Sequence, residues 1–193
     1  MKVERGRDSV RVERVTKEVE ISLLFSEKGT FSGTSTLRFL DHLLNTLCHY
    51  SGLGIELERC ESKDGVLHHL VEDLGMCVGA GLRELFDYSK LSRFGEAIVP
   101  MDESLVGCFL DLSGRCHFEG GFDFRGSVED LPLEALEEFL RGFVRTSQIN
   151  LHFVVFRSGN VHHTVEGMFK ALGIALERAL KPTNRGSTKG VID

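Results

Sequence analysis

The amino-acid sequence predicts an α+β fold in which one unit occurs twice, each copy being a small, mostly antiparallel sheet with helices on one face. Three observations support this prediction. Strand-like and helix-like hydrophobic patterns alternate along the 193 residues. The second half of the chain repeats the first at a nearly constant offset. The order of the elements favours sheets covered by helices on one side, so we expect the helices of the two halves to pack together.

Two strands and two helices are predicted in the first half of the chain. Residues 19–25 (VEISLLF) and 53–58 (LGIELE) are short apolar runs of the kind that form strands. Between them, leucines recur at helical spacing over residues 39–50. A second helix begins at His68, and its apolar face consists of Val71, Leu74, Val78, Leu82 and Leu85.

Three strands and two helices are predicted in the second half. The strands cover residues 97–101, 105–112 and 151–156. Asp130 and Pro132 indicate the start of a helix. One face of this helix is formed by Leu136, Phe139, Leu140 and Phe143. The last helix covers residues 162–180, and Pro182 and Gly186 end it in a polar tail.

The second half repeats the first at two closely similar offsets. At an offset of 94 residues, the identical pairs are His68/His162, His69/His163, Val71/Val165, Glu72/Glu166, Gly79/Gly173 and Leu82/Leu176. At an offset of 96, the aligned apolar pairs are Leu43/Phe139, Leu47/Phe143 and Ile55/Leu151. We therefore expect one domain, residues 1–193, made of two tandem repeats (about 10–90 and 91–181) and a C-terminal tail (182–193). Gene duplication is the simplest source of this pattern.

Composition narrows the class of protein. A net charge of -6 without a basic stripe argues against a nucleic-acid partner. The chain has neither a run of 18 apolar residues nor a signal peptide, so we expect no membrane partner and a cytoplasmic location. The odd number of cysteines, five, without a C-x-x-C pair favours reduced and mostly buried thiols.

The repeated His-His-x-x-Glu pattern indicates a dinuclear metal site. On a helix, residues four apart share a face, so His68 points the same way as Glu72, and His162 the same way as Glu166. An imidazole and a carboxylate at this spacing can coordinate one divalent transition metal ion. The second histidine of each pair points in another direction and could coordinate a different ion. A single such pattern is weak evidence for metal, because histidines at the start of a helix more often cap backbone groups or are solvated. Its recurrence at equivalent positions favours metal. The H-E-x-x-H and H-x-x-E-H patterns of zinc peptidases are not completed.

The repeat also predicts the remaining ligands. The offset of 96 places His42 opposite Glu138, so each unit would add one ligand from its preceding helix. A helical Glu such as Glu138 is otherwise a common surface charge. The predicted set for one ion is His42, His69, His162 and Glu166, and the set for the other is His68, Glu72, Glu138 and His163.

Eight sequence blocks resemble one known family. They are VTKEVEI (15–21), FLDHLL (39–44), HHLVEDLG (68–75), RFGEAIVPMDESL (93–105), LDLSGR (110–115), LHF (151–153), HHTVEGMFKALGIAL (162–176) and STKG (187–190). In this order, over residues 11–192, they resemble the imidazoleglycerol-phosphate dehydratases. The resemblance implies a lyase of L-histidine biosynthesis that converts D-erythro-imidazole-glycerol phosphate to imidazole-acetol phosphate. It also implies a fold like domain 2 of ribosomal protein S5.

The resemblance further implies a cofactor, an assembly and site residues. It implies two Mn²⁺ per active site, a metal-bound imidazolate and a diazafulvene-like intermediate, in a 24-subunit homo-oligomer with active sites between subunits. The candidate proton-transfer carboxylates are Glu18, Glu72 and Glu166. The residues expected to bind substrate are Glu18, His42, His68, His69, Arg93, Arg115, His162, His163, Lys170, Ser187 and Lys189.

Some positions depart from the family pattern. Residues 35–38 (STLR) replace a Thr-Gly-Ile-Gly segment, and Leu67 and Val161 replace an Asp before each histidine pair. Glu138 stands where many relatives have a histidine, and a further histidine of the family aligns with either His49 or Tyr50. One alternative is therefore a related dinuclear-metal protein that acts on or binds another phosphorylated small molecule. Another is a non-catalytic assembly protein whose histidines serve in packing.

Overall fold

The structure, a computed structural model, describes residues 1–183. The first half forms a five-stranded sheet and two helices. Its elements are β1 (Lys2–Arg5), β2 (Ser9–Val15), β3 (Val19–Ser26), β4 (Phe31–Ser32), α1 (Arg38–Ser51), β5 (Gly54–Ser62) and α2 (Leu67–Leu85). The strand order is β1-β2-β3-β5-β4, antiparallel except for the parallel pair β4 and β5.

The second half forms a four-stranded sheet, a small hairpin and two helices. Its elements are β6 (Phe94–Met101), β7 (Ser104–Asp111), β8 (His117–Glu119), β9 (Ser127–Val128), β10 (Leu131–Pro132), α3 (Leu133–Ser147), β11 (Asn150–Arg157) and α4 (Val161–Ala179). The strand order is β6-β7-β11-β8, again with one parallel pair, β11 and β8. Strands β9 and β10 form the separate hairpin.

Both halves follow the same plan. A hairpin, a helix, a third strand and a second helix succeed one another as β2-β3-α1-β5-α2 and as β6-β7-α3-β11-α4. In each half a short parallel strand, β4 or β8, lies beside the third strand of the plan. The predicted α+β fold with a duplicated unit is confirmed.

The helices of the two halves pack together in a reciprocal way. Helix α2 covers the first sheet and α4 covers the second. Helix α1 packs on α4, and α3 packs on α2, so each half contributes one helix to the other half. The α2–α3 contact is close, because a Cβ atom at Gly79 would lie 2.2 Å from the carbonyl oxygen of Phe143. The largest fully buried side chains include Phe25, Phe139, Phe143, Phe153 and Phe169.

The sequence patterns located the long elements but missed several strands. Strand β2 (SVRVERV) lies in a charged N-terminal segment in which Val10 and Val12 point into the core while Arg11 points outward. The alternation of apolar and polar residues in β2 is too short to be recognised in the sequence, because only Val10 and Val12 face the core. Strands β4, β8, β9 and β10 have two or three residues each, which is too short to show a period.

Asp130 has a different role from the one that its position before a helix indicates. Helix α3 does follow Pro132, but Pro132 gives it no side-chain cap. The Asp130 carboxylate instead accepts hydrogen bonds from the backbone N–H groups of Arg38 (2.7 Å) and Phe39 (3.0 Å) at the start of α1. Leu37, the residue before α1, has no polar side chain, so the free N–H groups of this helix are satisfied from the other half of the chain.

The outer faces of the two sheets differ. On the first sheet, charged side chains form ion pairs, among them Arg11–Glu58 and Arg59–Glu20. The outer face of the second sheet carries many exposed apolar side chains, Phe94, Ile98, Phe109, Val154 and Phe156, next to the polar Glu96 and His152. We call these five apolar residues the apolar sheet face. A contiguous apolar surface of this kind is typical of an interaction site.

The five cysteines are free, as predicted, and all except Cys116 are buried. Burial raises the pKa of the Cys48, Cys60 and Cys77 thiols to about 12. Among residues 1–183, no helix combines the length and the apolar character needed to cross a membrane.

Candidate active site

Three predicted metal ligands meet where α1 packs on α4. His162 and Glu166 lie one turn apart on α4, and His42 comes from α1. The Nε2 atoms of His42 and His162 lie 3.1 Å and 3.3 Å from Oε2 of Glu166. One donor atom from each residue lies within 4.8 Å of the other two. We call these three residues the ligand triad.

The ligand triad lines an open cavity of about 590 Å³. This volume is within the range that small-molecule ligands occupy in proteins. The ring of Phe39 lies 4.7 Å from that of His162, centroid to centroid, and forms an apolar wall beside the histidines. The remaining lining residues are Arg38, Glu129 and Asp130.

Glu166 is held as a carboxylate in spite of its burial. The residue is only 8% exposed. Burial raises the pKa of this carboxyl, but hydrogen bonds from Lys170 and His42 outweigh that effect, so the pKa lies below its ordinary value. The Lys170 Nζ lies 2.9 Å from Oε1 of Glu166. The triad therefore offers an ionised carboxylate and two imidazoles, a donor set that suits a divalent transition metal.

The second histidine of each pair meets acidic residues from loops. His69 Nδ1 lies 2.7 Å from Oδ2 of Asp64, and this hydrogen bond raises the pKa of His69. His163 Nδ1 lies 3.1 Å from Oε1 of Glu103. Glu18 belongs to the His69 group, and Asp102 to the His163 group. Although Leu67 and Val161 remove the usual preceding Asp, both of these histidines have a carboxylate partner.

One acidic residue of each group, Glu18 or Glu103, occupies an equivalent place in its half. Glu18 lies in the turn between β2 and β3, and Glu103 in the turn between β6 and β7. In the second half, Oε1 of Glu103 also accepts a hydrogen bond from the backbone N–H of Asn160 (2.6 Å). This hydrogen bond is the main cause of the lowered pKa of Glu103. The duplication thus extends from the histidine pairs to one carboxylate in each of their groups.

One copy of the chain brings together most of one predicted ligand set but not the other. Three of the four residues predicted for one ion form the ligand triad, and His69 lies in its own group. In the described chain, His68, Glu72 and Glu138 do not form such a group. Glu72 binds NH2 of Arg145 at 2.9 Å, and Glu138 lies 3.6 Å from Nε of Arg141. These arginines neutralise the carboxylates of the second set.

The predicted phosphate-binding residues lie in different environments. Arg93 forms a two-point ion pair with Asp111, with N···O distances of 2.6 Å and 3.0 Å. Arg115 is exposed and follows a turn at Gly114, whose φ is 80°. Lys170 is engaged with Glu166 of the triad. Two of the predicted residues, Ser187 and Lys189, lie outside the described residues.

Sequence reasoning missed Asp64, Glu103 and Glu129 as partners of the histidines. Nδ1 of His162 lies 3.3 Å from Oε1 of Glu129. A histidine that binds a metal through one ring nitrogen usually donates its other N–H to a carboxylate or a carbonyl group. That rule gives a reason to search the acidic loop residues, and Glu103 lies in one of the recognised blocks. The spacing of Glu129 from His162 gave no such signal, because a hairpin brings the two together.

Two imidazoles and a carboxylate gathered in a cavity are the kind of donor set that metal-dependent enzymes use. The model of the family "Imidazoleglycerol-phosphate dehydratase" matches residues 35–176. The chain belongs to the imidazoleglycerol-phosphate dehydratase family, a family of enzymes, and the resemblance of the sequence blocks is confirmed.

Individual relatives agree with the family match. The imidazoleglycerol-phosphate dehydratase of Thermotoga neapolitana is 52% identical over 195 aligned residues, which cover 100% of both chains. That of Dictyoglomus thermophilum is 39% identical and covers 94% of this chain and 97% of its own. The crystal structure of the enzyme from Pyrococcus furiosus has a TM-score of 0.80 at 35% identity, with 93% and 99% coverage. That from Staphylococcus aureus has a TM-score of 0.80 at 30% identity, with 90% and 98% coverage.

Proposed function

We propose that this chain removes water from D-erythro-imidazole-glycerol phosphate and releases imidazole-acetol phosphate in the biosynthesis of L-histidine. One observation carries the proposal. His42, His162 and Glu166 gather in a cavity of a chain that is 52% identical over its whole length to a dehydratase of that name. The proposed route includes a diazafulvene-like intermediate, as the family implies.

The donor groups support two Mn²⁺ per active site. His42, His162 and Glu166 would hold one ion, with His69 from another copy of the chain as a fourth ligand. His68, Glu72, Glu138 and His163 would hold the second. Glu138 offers an oxygen donor, which suits Mn²⁺. When bound, the ions supply the Lewis acidity that makes the imidazole ring of the substrate easier to deprotonate.

The reaction requires one group that moves a proton from carbon to oxygen. A carboxylate takes the carbon-bound proton, and a carboxylic acid gives a proton to the departing hydroxyl, which leaves as water. Glu18, Glu72 and Glu166 are the proposed proton carriers. Glu18 is exposed in a turn, where a substrate can reach it. The lowered pKa of Glu166 favours the carboxylate form, which is the form that accepts a proton.

Cationic side chains support binding of the substrate phosphate. Arg115 is exposed, and its guanidinium suits two-point contact with phosphate oxygens. Lys170 adjoins the ligand triad, so it can contact a ligand held there. Arg93 pairs with Asp111 and would have to share its guanidinium with the phosphate. Ser187 and Lys189 complete the proposed set.

Two features support a homo-oligomer, proposed as a 24-subunit assembly in the cytoplasm. The His69 group and the ligand triad are separate groups in one copy, so a shared centre needs a second copy. The apolar sheet face is exposed in a single copy and would be covered by another. Each chain would contribute a single domain with tandem repeats at about 10–90 and 91–181 and a tail at 182–193.

The proposed function is tested by turnover of imidazole-glycerol phosphate with chelator-stripped protein. We expect activity to be absent without metal and restored by Mn²⁺. His162→Ala should lose at least ~100-fold in kcat/KM and should bind less Mn²⁺, because a ligand is removed. Glu177→Ala removes an exposed carboxylate of α4 that pairs with Lys181, outside the proposed ligand sets, and should behave as the wild type. Full activity of His162→Ala would contradict the proposed site, and Mn²⁺ binding without turnover would favour another phosphorylated substrate.

A further inference from the structure

The β9–β10 hairpin connects the starts of the two helices that carry the ligand triad. It reverses direction through two residues, Glu129 and Asp130, since Val128 pairs with Leu131. Asp130 accepts hydrogen bonds from the first N–H groups of α1, and Glu129 contacts His162 in the first turn of α4. One small turn thus contacts both helices of the site.

The backbone of Glu129 is strained. Its φ is 50°, in the left-handed region that side chains with a Cβ atom rarely adopt. The first central position of a two-residue hairpin turn with positive φ favours Gly, Asn or Asp. A long side chain in such a conformation destabilises the turn, and such residues concentrate at functional sites. The Glu129 side chain is 63% exposed, so its burial does not compensate for this strain.

The carboxylate of Glu129 lies beside one ring nitrogen of His162. Oε1 of Glu129 lies 3.3 Å from Nδ1, and Nε2 of the same ring lies 3.3 Å from Oε2 of Glu166. An Nδ1–H that donates to Glu129 leaves the lone pair of the neutral ring on Nε2. That nitrogen is the one that faces the rest of the ligand triad.

We propose that Glu129 is a positioning residue, which holds His162 in the tautomer and orientation that present Nε2 to a divalent metal ion. The inference rests on the proposed function, in which His162 is a metal ligand. It adds a residue that is not a ligand itself and that acts through its contact with His162. A carboxylate behind a metal-binding histidine typically changes metal affinity by ~10- to 100-fold.

The corresponding loop of the other half differs. The segment before α1 also contains a residue with positive φ, Thr36 (73°), and Thr36 lines a cavity together with Leu67 and Leu70 of α2. Here a threonine takes the place of the glutamate near the first turn of the helix that carries His68. The glutamate is therefore found beside the ligand triad, which one copy of the chain assembles from both halves.

The test compares metal affinity with stability in metal-free protein. Glu129→Gly removes the carboxylate and relieves the positive φ. We expect its dissociation constant for Mn²⁺, measured by calorimetry on chelator-stripped protein, to rise ~10- to 100-fold. Its midpoint of thermal unfolding should stay the same or rise, because glycine suits the backbone. Glu129→Gln keeps an oxygen acceptor for Nδ1–H and should restore most of the affinity.

Gln148→Gly is the matched control, since Gln148 also has a positive φ (56°) and lies at the end of α3. It should leave Mn²⁺ affinity unchanged. If Glu129→Gly binds Mn²⁺ as tightly as the wild type, and the wild type turns over the substrate, this inference is wrong and the proposed function stands. Failure of the wild-type protein to bind Mn²⁺ or to turn over the substrate overturns the proposed function and this inference together.

Discussion

Asp130 illustrates, at the scale of one residue, how the two halves depend on each other. Burial raises the pKa of this carboxyl, but the backbone N–H groups of Phe39 and Arg38 lower it by more, so the pKa lies below its ordinary value. A depressed folded pKa means that the ionised form stabilises the fold. This stabilisation is fully present above the ordinary pKa and is lost as the pH falls through the folded pKa.

We therefore expect Asp130→Ala to lower the free energy of unfolding by ~1 kcal/mol at neutral pH, as for the loss of a helix cap. The difference from the wild type should shrink at pH values below the folded pKa, where the native carboxyl is protonated. Urea unfolding of chelator-stripped protein at several pH values measures both effects. Asp123→Ala is the control, because Asp123 pairs with the exposed Arg125 and not with a helix. Equal stability of Asp130→Ala and the wild type at neutral pH would rule out the capping role.

The positions of the candidate metal ligands were predictable where helix geometry alone fixes them. His162 and Glu166 lie on one face because they are four apart, and the repeat identified His42 on the paired helix. Glu103, Asp64 and Glu129 were not predictable in this way. They reach the histidines from turns and loops, and the path of a turn depends on the tertiary packing around it. Arg145 was missed for the same reason, since it approaches Glu72 from another helix.

At the scale of elements, glycine determines how closely the helices approach. Gly79 and Gly173 are identical in the repeat and lie at helix–helix contacts. A Cβ atom at Gly79 would lie 2.2 Å from a carbonyl oxygen of α3, and one at Gly173 would lie 2.7 Å from Cβ of Tyr50 on α1. The repeat shows that both positions are glycine, but helical periodicity does not explain why. The structure gives the reason, because both helix pairs need a residue without a side chain.

Gly79→Ala should therefore lower the free energy of unfolding by ~1–3 kcal/mol, because the α2–α3 pair must separate to admit a methyl group. Gly167→Ala is a suitable control. Gly167 is also in a helix, but the nearest atom to a Cβ there would be 3.5 Å away, in Val106. This control should be neutral or more stable by up to ~1 kcal/mol, since alanine is the better helix former. Denaturant unfolding measures the free energy of unfolding of both variants. An unchanged free energy for Gly79→Ala would show that α2 and α3 can accept a methyl group at this contact.

The predictability of the elements follows the length of their periodic patterns. The starts of the four helices, and the ends predicted for three of them, agree with the structure to within about two residues, because each helix has a continuous apolar face over 14 to 19 residues. The predicted strand at 97–101 begins at Phe94 in the structure, since exposed Phe94 and Glu96 alternate with buried neighbours. Strand β2 was missed because its pattern rests on two buried valines in a charged segment.

At the scale of the whole molecule, the two sheets have the same plan and opposite outer surfaces. Ion pairs cover the first sheet, and the apolar sheet face covers the second. Because the two halves share one plan, this difference indicates that their outer faces have different surroundings. In the proposed homo-oligomer, the apolar sheet face contacts another copy and the charged face contacts water.

We expect Ile98→Glu to reduce the mass of the assembly, because it places a charge in the middle of the apolar sheet face. Light scattering coupled to gel filtration measures this mass directly. Glu56→Lys makes a change of charge on the exposed face of the first sheet and should leave the mass unaltered. An unchanged mass for Ile98→Glu would remove the apolar sheet face from the assembly contacts.

The reciprocal packing of α1 on α4 and of α3 on α2 amounts to a domain swap within one chain. One helix of each repeat packs on a helix of the other repeat. A single repeat released from the chain would therefore expose the helix surfaces that the other repeat normally covers. An ancestral half-length protein would then have been stable only as a dimer with exchanged helices. Its metal ligands would have met across that dimer, just as His42 of one half meets Glu166 of the other. Cleavage between α2 and β6 would recreate this situation, with two fragments that fold as a complementing pair and not alone.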